Sequence, residues 1–147
     1  MIEEAYVKYD VANLLKEKGF DETCYACYEY FKSSITMYSG WPFEYKGEVV
    51  HNSKDVVKCP TQQMAMRWLR EVHNIDIDCK AEVGMLQVKR YVPIIKTYHP
   101  KYDKELGKDR LNQKLHSTSK IFPVYDDFAT YEEAIDEAIE YCLENLI

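Results

Sequence analysis

The side chains with the most reactive chemistry in this 147-residue sequence are its five cysteines. Cys24 and Cys27 form a Cys-x-x-Cys pair, but a structural zinc site needs a second such pair or two closely spaced histidines. The four histidines are at least 17 residues apart, so no second local pair of ligands exists. We therefore expect neither a metal site nor a cofactor. The odd number of cysteines predicts reduced thiols that fill a core rather than a disulfide framework.

Acidic residues and a further cysteine offer two other kinds of chemistry. Asp76 and Asp78 are of the type that binds hard cations, but the alternating pattern of residues 75–79 places both on the solvent face of a strand. Cys59 precedes a helix, yet His73 at the far end of that helix is about 18 Å away, too far to act as its base. We expect a protein that is not an enzyme, with a small hydrolase as the less favoured alternative.

Charge and composition limit the classes of partner. With 19 basic and 25 acidic residues the net charge is −6, whereas a sequence-blind nucleic-acid binder carries a basic surface. No apolar run reaches the ~18–20 residues of a membrane span, and the acidic amino terminus lacks a leader. We expect a cytoplasmic protein that binds neither nucleic acid nor membrane. Its thirteen tyrosines suit either a tyrosine-rich sheet or a contact surface.

Hydrophobic periodicity and turn signals predict an α+β fold in a single domain, residues 1–147. Helices are expected over residues 11–18 and 62–73 and from Thr130 onward, and strands over residues 24–31, 43–50, 75–79, 85–97 and 121–125. Residues 33–42 carry loop signals, and Pro93 should lie at a sheet edge or in a bulge. Because short turns join neighbouring strands, we expect a mainly antiparallel sheet of about five strands with three helices packed on it.

Two of these helices are amphipathic. The apolar stripe of the helix over residues 62–73 consists of Met64, Ala65, Trp68, Leu69 and Val72. After Thr130, which forms a capping box with Glu133, one side of the last helix is apolar and the other is acidic. The acidic side consists of Glu133, Asp136, Glu137, Glu140 and Glu144. Both patterns predict a helix that packs one face on a sheet.

Residues 99–120 differ from the rest of the chain, and we expect them to form a long polar and basic loop within the domain. This segment combines positive charge with aromatic side chains in an otherwise acidic protein. Its candidate binding residues, with the residue just before it, are Tyr98, His99, Lys101, Tyr102 and Arg110. The alternatives are a loop that folds onto the acidic last helix and a loop that promotes head-to-tail self-association.

Three further cations are candidate binding residues. Arg67 and Arg70 lie about one turn apart on the polar face of their helix, where they could hold an anion or an acidic partner. The favoured alternative is that Arg67 pairs on the solvent-exposed helix surface with Glu71, four residues later. Arg90, on the strand over residues 85–97, is the third candidate.

Three segments of the chain carry a resemblance to a known family. They are Leu14-Leu15-Lys16-Glu17-Lys18-Gly19-Phe20, then Pro60-Thr61 with Ala65 and Trp68-Leu69-Arg70-Glu71-Val72-His73-Asn74-Ile75, and finally Thr130-Tyr131-Glu132-Glu133-Ala134. On these residues the chain resembles a family of small proteins encoded by phages and prophages of gut Bacteroidales. The resemblance implies a phage accessory gene expressed in a bacterial host cytoplasm. The family has no assigned activity, so no catalytic residue is implied.

These observations predict a non-enzymatic phage or prophage accessory protein that acts by binding. Its expected partner is a host or phage protein, and self-association into a homo-oligomer is compatible with this role. The alternative is a protein that sequesters a nucleotide-type signal molecule of a host defence pathway. That function requires a pocket of about 300 Å³ or more into which several basic groups converge.

Overall fold

A computed structural model describes residues 4–31, 34–39, 56–84, 87–103, 108–116 and 128–147. Its elements in chain order are α1 (Tyr9–Glu17), β1 (Ala26–Phe31), β2 (Ser34–Ser39), β3 (Val56–Lys58), α2 (Gln62–His73), β4 (Ile75–Val83), β5 (Lys89–Asp103), β6 (Lys108–His116) and α3 (Tyr131–Asn145). The α+β class predicted from the sequence is confirmed. Two of the predicted strands, over residues 43–50 and 121–125, lie outside the described residues.

The strands form two antiparallel sheets rather than one. The first has the strand order β2-β1-β3 and the second has the order β4-β5-β6. The antiparallel pairing and the three helices are therefore confirmed, whereas the described strands form two sheets instead of the one sheet of about five strands that was expected. The physical reason is that α2 separates β3 from β4, so that the chain leaves the first sheet before the next strand forms. Among the described strands, those before this helix pair only with one another, and those after it pair only with one another.

Two segments predicted as loops contain strands. Residues 34–39 form β2, which pairs with β1 along its whole length. In place of the long loop over residues 99–120, β5 continues to Asp103 and pairs with β6, which spans Lys108–His116. The polar composition misled the prediction because a ladder satisfies backbone N–H and C=O groups whatever side chains its residues carry.

The boundaries of α2 and α3 follow the capping signals of the sequence, whereas α1 begins without a side-chain cap. The hydroxyls of Thr61 and Thr130 accept hydrogen bonds from the backbone N–H groups of Met64 and Glu133, both at 3.2 Å. Asn74 ends α2 in the left-handed conformation, with φ of 56°. These contacts satisfy terminal groups that have no partner inside the helix. None of the helices within the described ranges has the length and apolar character needed to cross a membrane.

One hydrophobic core contains residues of all three helices and of both sheets. Its largest fully buried side chains include Leu15, Leu69, Ile95, Ile135, Ile139 and Leu143. Helix α3 packs against α1, α2, β4 and β5, so it is the element that closes this core. The predicted stripe of α2 is confirmed at Ala65, Trp68 and Leu69, whereas Val72 is exposed.

Among the described residues, Pro93 occupies a local edge position in an otherwise central strand. On one side it lies opposite Cys79 of β4. On the other side of β5, Tyr91 exchanges two backbone hydrogen bonds with Phe128, and the ladder with β6 begins only at Ile95. Pro93 lies between these two contacts, where its missing N–H interrupts neither, in agreement with the predicted edge or bulge.

Candidate binding surface

β5, the longest of the described strands, extends beyond the point where its pairing with β4 ends. The ladder between β4 and β5 ends where Ile75 lies opposite Thr97. β5 and β6 continue to pair for six further positions, as far as Asp103 opposite Lys108. At ~3.4 Å per residue, this two-stranded extension is about 20 Å long. We call it the ribbon, and it comprises residues 98–103 and 108–113.

The register sorts the ribbon residues into two sets. Opposite residues of an antiparallel ladder, and every second residue along a strand, belong to the same face. The first set is mainly aromatic, apolar or uncharged: Tyr98, Pro100, Tyr102, Asp109, Leu111 and Gln113. The second set is mainly basic: His99, Lys101, Asp103, Lys108, Arg110 and Asn112. The backbone register therefore separates tyrosine positions from cationic positions.

One pair in this register is unfavourable for the ribbon itself. Lys101 lies directly opposite Arg110. Like charges at opposite positions destabilise an antiparallel ladder. An anionic group placed beside both cations would offset this repulsion through charge-assisted hydrogen bonds.

The ribbon gathers five of the residues that the sequence singled out for binding. They are Tyr98, His99, Lys101, Tyr102 and Arg110. Sequence analysis expected these residues in a loop, whereas the structure holds their backbone in a regular ladder. A ladder has lower conformational entropy than a loop of the same length, so a partner that binds it has less ordering to impose.

The other three predicted residues lie elsewhere. Arg67 donates from Nε to Glu71 Oε1 at 2.8 Å, so the alternative of an i,i+4 pair is confirmed. Arg70 Nη1 is 3.7 Å from Asp76 Oδ1. Arg90 is the second residue of β5, at the end of the strand away from the ribbon. The structure does not bring these three cations together with the ribbon residues.

A cavity of about 250 Å³ lies beside α2. Its lining residues are Glu22, Met64, Arg67, Trp68, Glu71 and Val72. Two carboxylates face one guanidinium, and that guanidinium is already bonded to Glu71. The phosphates of a nucleotide would meet a net negative lining here, so the cavity is electrostatically unsuited to the nucleotide-binding alternative.

The cysteines are placed as structural residues. Cys59 is buried, and its thiol lies 3.5 Å from the carbonyl oxygen of Val7, to which it donates. Burial raises the pKa of Cys59 to about 12 and the pKa of Cys24 and of Cys27 to about 11. These thiols are protonated at neutral pH, and a thiol in that form is a weak nucleophile.

The rate at which an alkylating agent modifies each cysteine should follow the solvent exposure of its thiol. Cys79 is the one partly exposed cysteine, and the other four are buried. We expect iodoacetamide to label Cys79 first in the folded protein, although burial also raises the pKa of its thiol. Mass spectrometry of a labelling time course measures this order, with Cys79→Ser as the control that loses the early adduct. Equal labelling of Cys59 and Cys79 would contradict the buried placement of Cys59.

The two aspartates of β4 form ion pairs on the sheet surface. Asp76 lies near Arg70, and Asp78 Oδ2 accepts from Lys96 Nζ at 2.8 Å. Both aspartates are thus neutralised by cations of the chain, as expected for the solvent face of a strand. In the part of the chain that the structure describes, no group of three or more His, Cys, Asp or Glu side chains could hold a metal ion.

Sequence analysis placed Asp136 on the acidic side of the last helix, and this was wrong. Asp136 is only 4% exposed, and its Oδ1 has no hydrogen-bond partner among the described residues. The helical wheel held a signal for this burial. Residues seven apart on a helix differ by only about 20° in direction, and Leu143, seven residues after Asp136, is fully buried.

Lys58 is a second buried charge that the sequence did not indicate. It is 6% exposed, and its Nζ lies 2.8 Å from Asp21 Oδ1. Nζ also donates to the carbonyl oxygen of Glu22 at 3.2 Å. Lys58 therefore ties β3 to the segment that leads into β1, which is a structural role.

Together the fold and the ribbon define an α+β domain with two antiparallel sheets and a two-stranded extension. Comparison with protein-family models, with curated proteins and with solved structures gave no match.

Proposed function

We propose that this chain is a non-enzymatic binding protein that engages another protein through its ribbon. The observation that carries the proposal is the register, which places Lys101 opposite Arg110. Like charges at opposite positions disfavour a ladder, and an anionic group of a partner would offset that cost. Tyrosine at two positions of the other set adds a residue type that is enriched at protein interfaces.

The charge of the chain supports an acidic site on the partner. The whole chain has a net charge of −6, whereas the ribbon has three basic and two acidic residues. A positive patch on a negative protein orients an approaching partner, because the rest of the surface repels the same acidic group. The proposed partner therefore presents carboxylates next to an apolar or aromatic surface.

The resemblance to phage and prophage proteins supplies a setting for this proposal. In that setting the chain is a phage accessory protein in a bacterial host cytoplasm, and its partner is a host or phage protein. No catalytic step is proposed, since the buried thiols are protonated and the β4 aspartates are paired with cations.

Charge reversal of the opposed pair should abolish binding. The test variant is Lys101→Glu with Arg110→Glu, and the matched control is Lys80→Glu with Lys89→Glu, near the other end of the same sheet. A photo-crosslinking amino acid at Tyr102 captures the partner in expressing cells. We expect one crosslinked species, at least tenfold weaker in the ribbon variant (about 1.4 kcal/mol) and unchanged in the control.

Circular dichroism of each purified variant confirms that the fold is retained. The proposal fails if both charge reversals weaken the crosslink equally, or if no crosslinked species forms. It also fails if a nucleotide at a hundredfold excess over its dissociation constant stabilises the purified protein, by about 2.7 kcal/mol, since that result favours the sequestering alternative.

A further inference from the structure

The cavity beside α2 has an apolar wall that runs along the helix. Met64, Trp68 and Val72 recur at intervals of four residues, and all three line the cavity. Residues four apart are neighbours on one face of a helix, and at 1.5 Å per residue this wall is about 12 Å long. Val72 is exposed, so this end of the wall is accessible to a ligand from solvent.

The indole of Trp68 is fixed in position at this wall. The side chain is buried except for a small part, and its edge-to-face contacts with Phe20 and His73 hold the orientation of the ring. Tryptophan is the aromatic side chain that attracts a cation most strongly. A cationic ligand therefore meets an aromatic surface that is already ordered, and binding has little ordering to impose.

One carboxylate at the cavity has a fixed backbone and no ion pair. The carbonyl oxygen of Glu22 accepts hydrogen bonds from Lys58 Nζ at 3.2 Å and from the thiol of Cys24 at 3.6 Å. Among the residues that the structure describes, the carboxylate of Glu22 forms no ion pair. The second carboxylate of the lining, Glu71, is shared with Arg67. Glu22 is therefore the carboxylate that is available to a ligand.

We propose that this cavity binds an alkylammonium group, which is one positive charge on a short aliphatic chain. The aliphatic chain lies along Met64, Trp68 and Val72, and the ammonium lies beside Glu22. Two carboxylates against one guanidinium give the lining a net charge of −1, which one ammonium neutralises. The cavity, at about 250 Å³, is smaller than the ~300–1,000 Å³ pockets of drug-sized ligands, in agreement with an occupant of this size.

Titration of the full chain with pentylammonium tests the charge that the cavity selects. The indole N–H signal of Trp68 in the spectrum of ¹⁵N-labelled protein reports binding, and Trp41→Phe removes the signal of the other tryptophan. We expect a saturable shift, with an affinity about fivefold or more above that of pentan-1-ol and of pentanoate, because neither control carries the positive charge. An equal or higher affinity for either control, or no saturable shift, would overturn the proposal.

Substitutions at the cavity test the position of the charge. Glu22→Gln should weaken the binding of pentylammonium about threefold or more, and Val72→Lys, which adds a like charge at an exposed position, should weaken it further. The matched control is Glu133→Gln, at an exposed glutamate outside the cavity lining. Circular dichroism verifies the fold of each variant. Unchanged binding in either cavity variant, or an equal loss in the control, would contradict the assignment.

The same chemical group occurs in free amines and in the lysine side chain of a protein, and a second probe distinguishes the two sources. A lysine blocked at both its amino and carboxyl groups should bind more tightly than pentylammonium if the source is a protein, and more weakly if the source is a free amine. Lys101→Glu with Arg110→Glu should bind pentylammonium as well as the parent chain does. Failure of this proposal is therefore distinguishable from failure of the proposed function of the ribbon.

Discussion

Replacement of Trp68 by alanine should lower the free energy of unfolding by about 3–5 kcal/mol. Trp68 is buried in the core, where its ring makes edge-to-face contacts with Phe20 and with His73, at centroid distances of 5.6 and 4.6 Å. Alanine removes these contacts and leaves a cavity that the helix cannot close. Since a domain of this size is stable by about 5–15 kcal/mol, the variant should be close to unfolding.

Val72 provides a matched control one turn later on the same helix. It is 55% exposed, so Val72→Ala should change the free energy of unfolding by less than about 0.5 kcal/mol. Urea unfolding followed by far-ultraviolet circular dichroism measures both values, and Trp68→Phe should give an intermediate loss. Similar losses for Trp68→Ala and Val72→Ala would show that the burial of α2 described above is incorrect.

Replacement of Asp136 by asparagine should remove a component of the pH dependence of stability. Burial raises the pKa of Asp136, and this effect exceeds the lowering by the hydrogen bond from Gln62 and by Lys8. Glu137 raises the pKa further. Oδ1 of this carboxyl group is buried with no hydrogen-bond partner among the described residues, and an unsatisfied buried group of this kind typically costs about 1–3 kcal/mol.

The sign of the effect follows from the raised pKa. The folded state binds a proton at Asp136 more tightly than the unfolded state, whose value is 3.8. The stability from this residue is therefore fully present below that pH and is lost as the pH rises through the folded-state pKa. Above it, Asp136→Asn should be more stable than the wild type.

Urea midpoints of the wild type and the variant, measured from about pH 4 to pH 8, isolate this contribution as a difference. Glu133→Gln is the control, because Glu133 lies on the same helix and is exposed. The difference in urea midpoint between Glu133→Gln and the wild type should not show the change with pH that is expected for Asp136→Asn. A difference between Asp136→Asn and the wild type that stays constant over the pH range would refute the assignment.

The parts of the fold that the sequence predicted are those determined by local signals. The bounds of α2 follow from a threonine cap and a left-handed asparagine, and α3 follows from the cap at Thr130. In each case the deciding atoms lie within a few residues of one another. The signals are thus complete in a short stretch of chain.

The errors concern interactions between distant residues. The polar sequence of residues 99–120 predicts a loop, because nothing local reveals that β5 and β6 satisfy each other's backbone. Val72 belongs to the apolar stripe by its helical angle, yet no element of the described chain covers it. The existence of two sheets depends on which strands meet in space, and hydrophobic periodicity carries no information on that point.

The candidate site was predicted in composition but not in arrangement. The sequence indicated the residue types of the ribbon, including Lys101 and Arg110, since positive charge is unusual in this acidic chain. It did not indicate that these two residues lie opposite each other, because a shift of one position in the pairing would bring other residues opposite, and the local pattern of a polar strand specifies the register only weakly. The sequence also indicated Arg67 as a binding residue, but its guanidinium is already hydrogen-bonded to Glu71.

The position of α3 in the chain has a consequence for biosynthesis. This helix follows the other described elements, and yet it packs against α1, α2, β4 and β5. A ribosome adds about 5–20 residues per second. The apolar faces of α1 and α2 therefore stay exposed for several seconds before α3 has been synthesised. During that interval the polypeptide resembles a chaperone substrate, and its yield in a cell should depend on translation speed and on the supply of holdase chaperones.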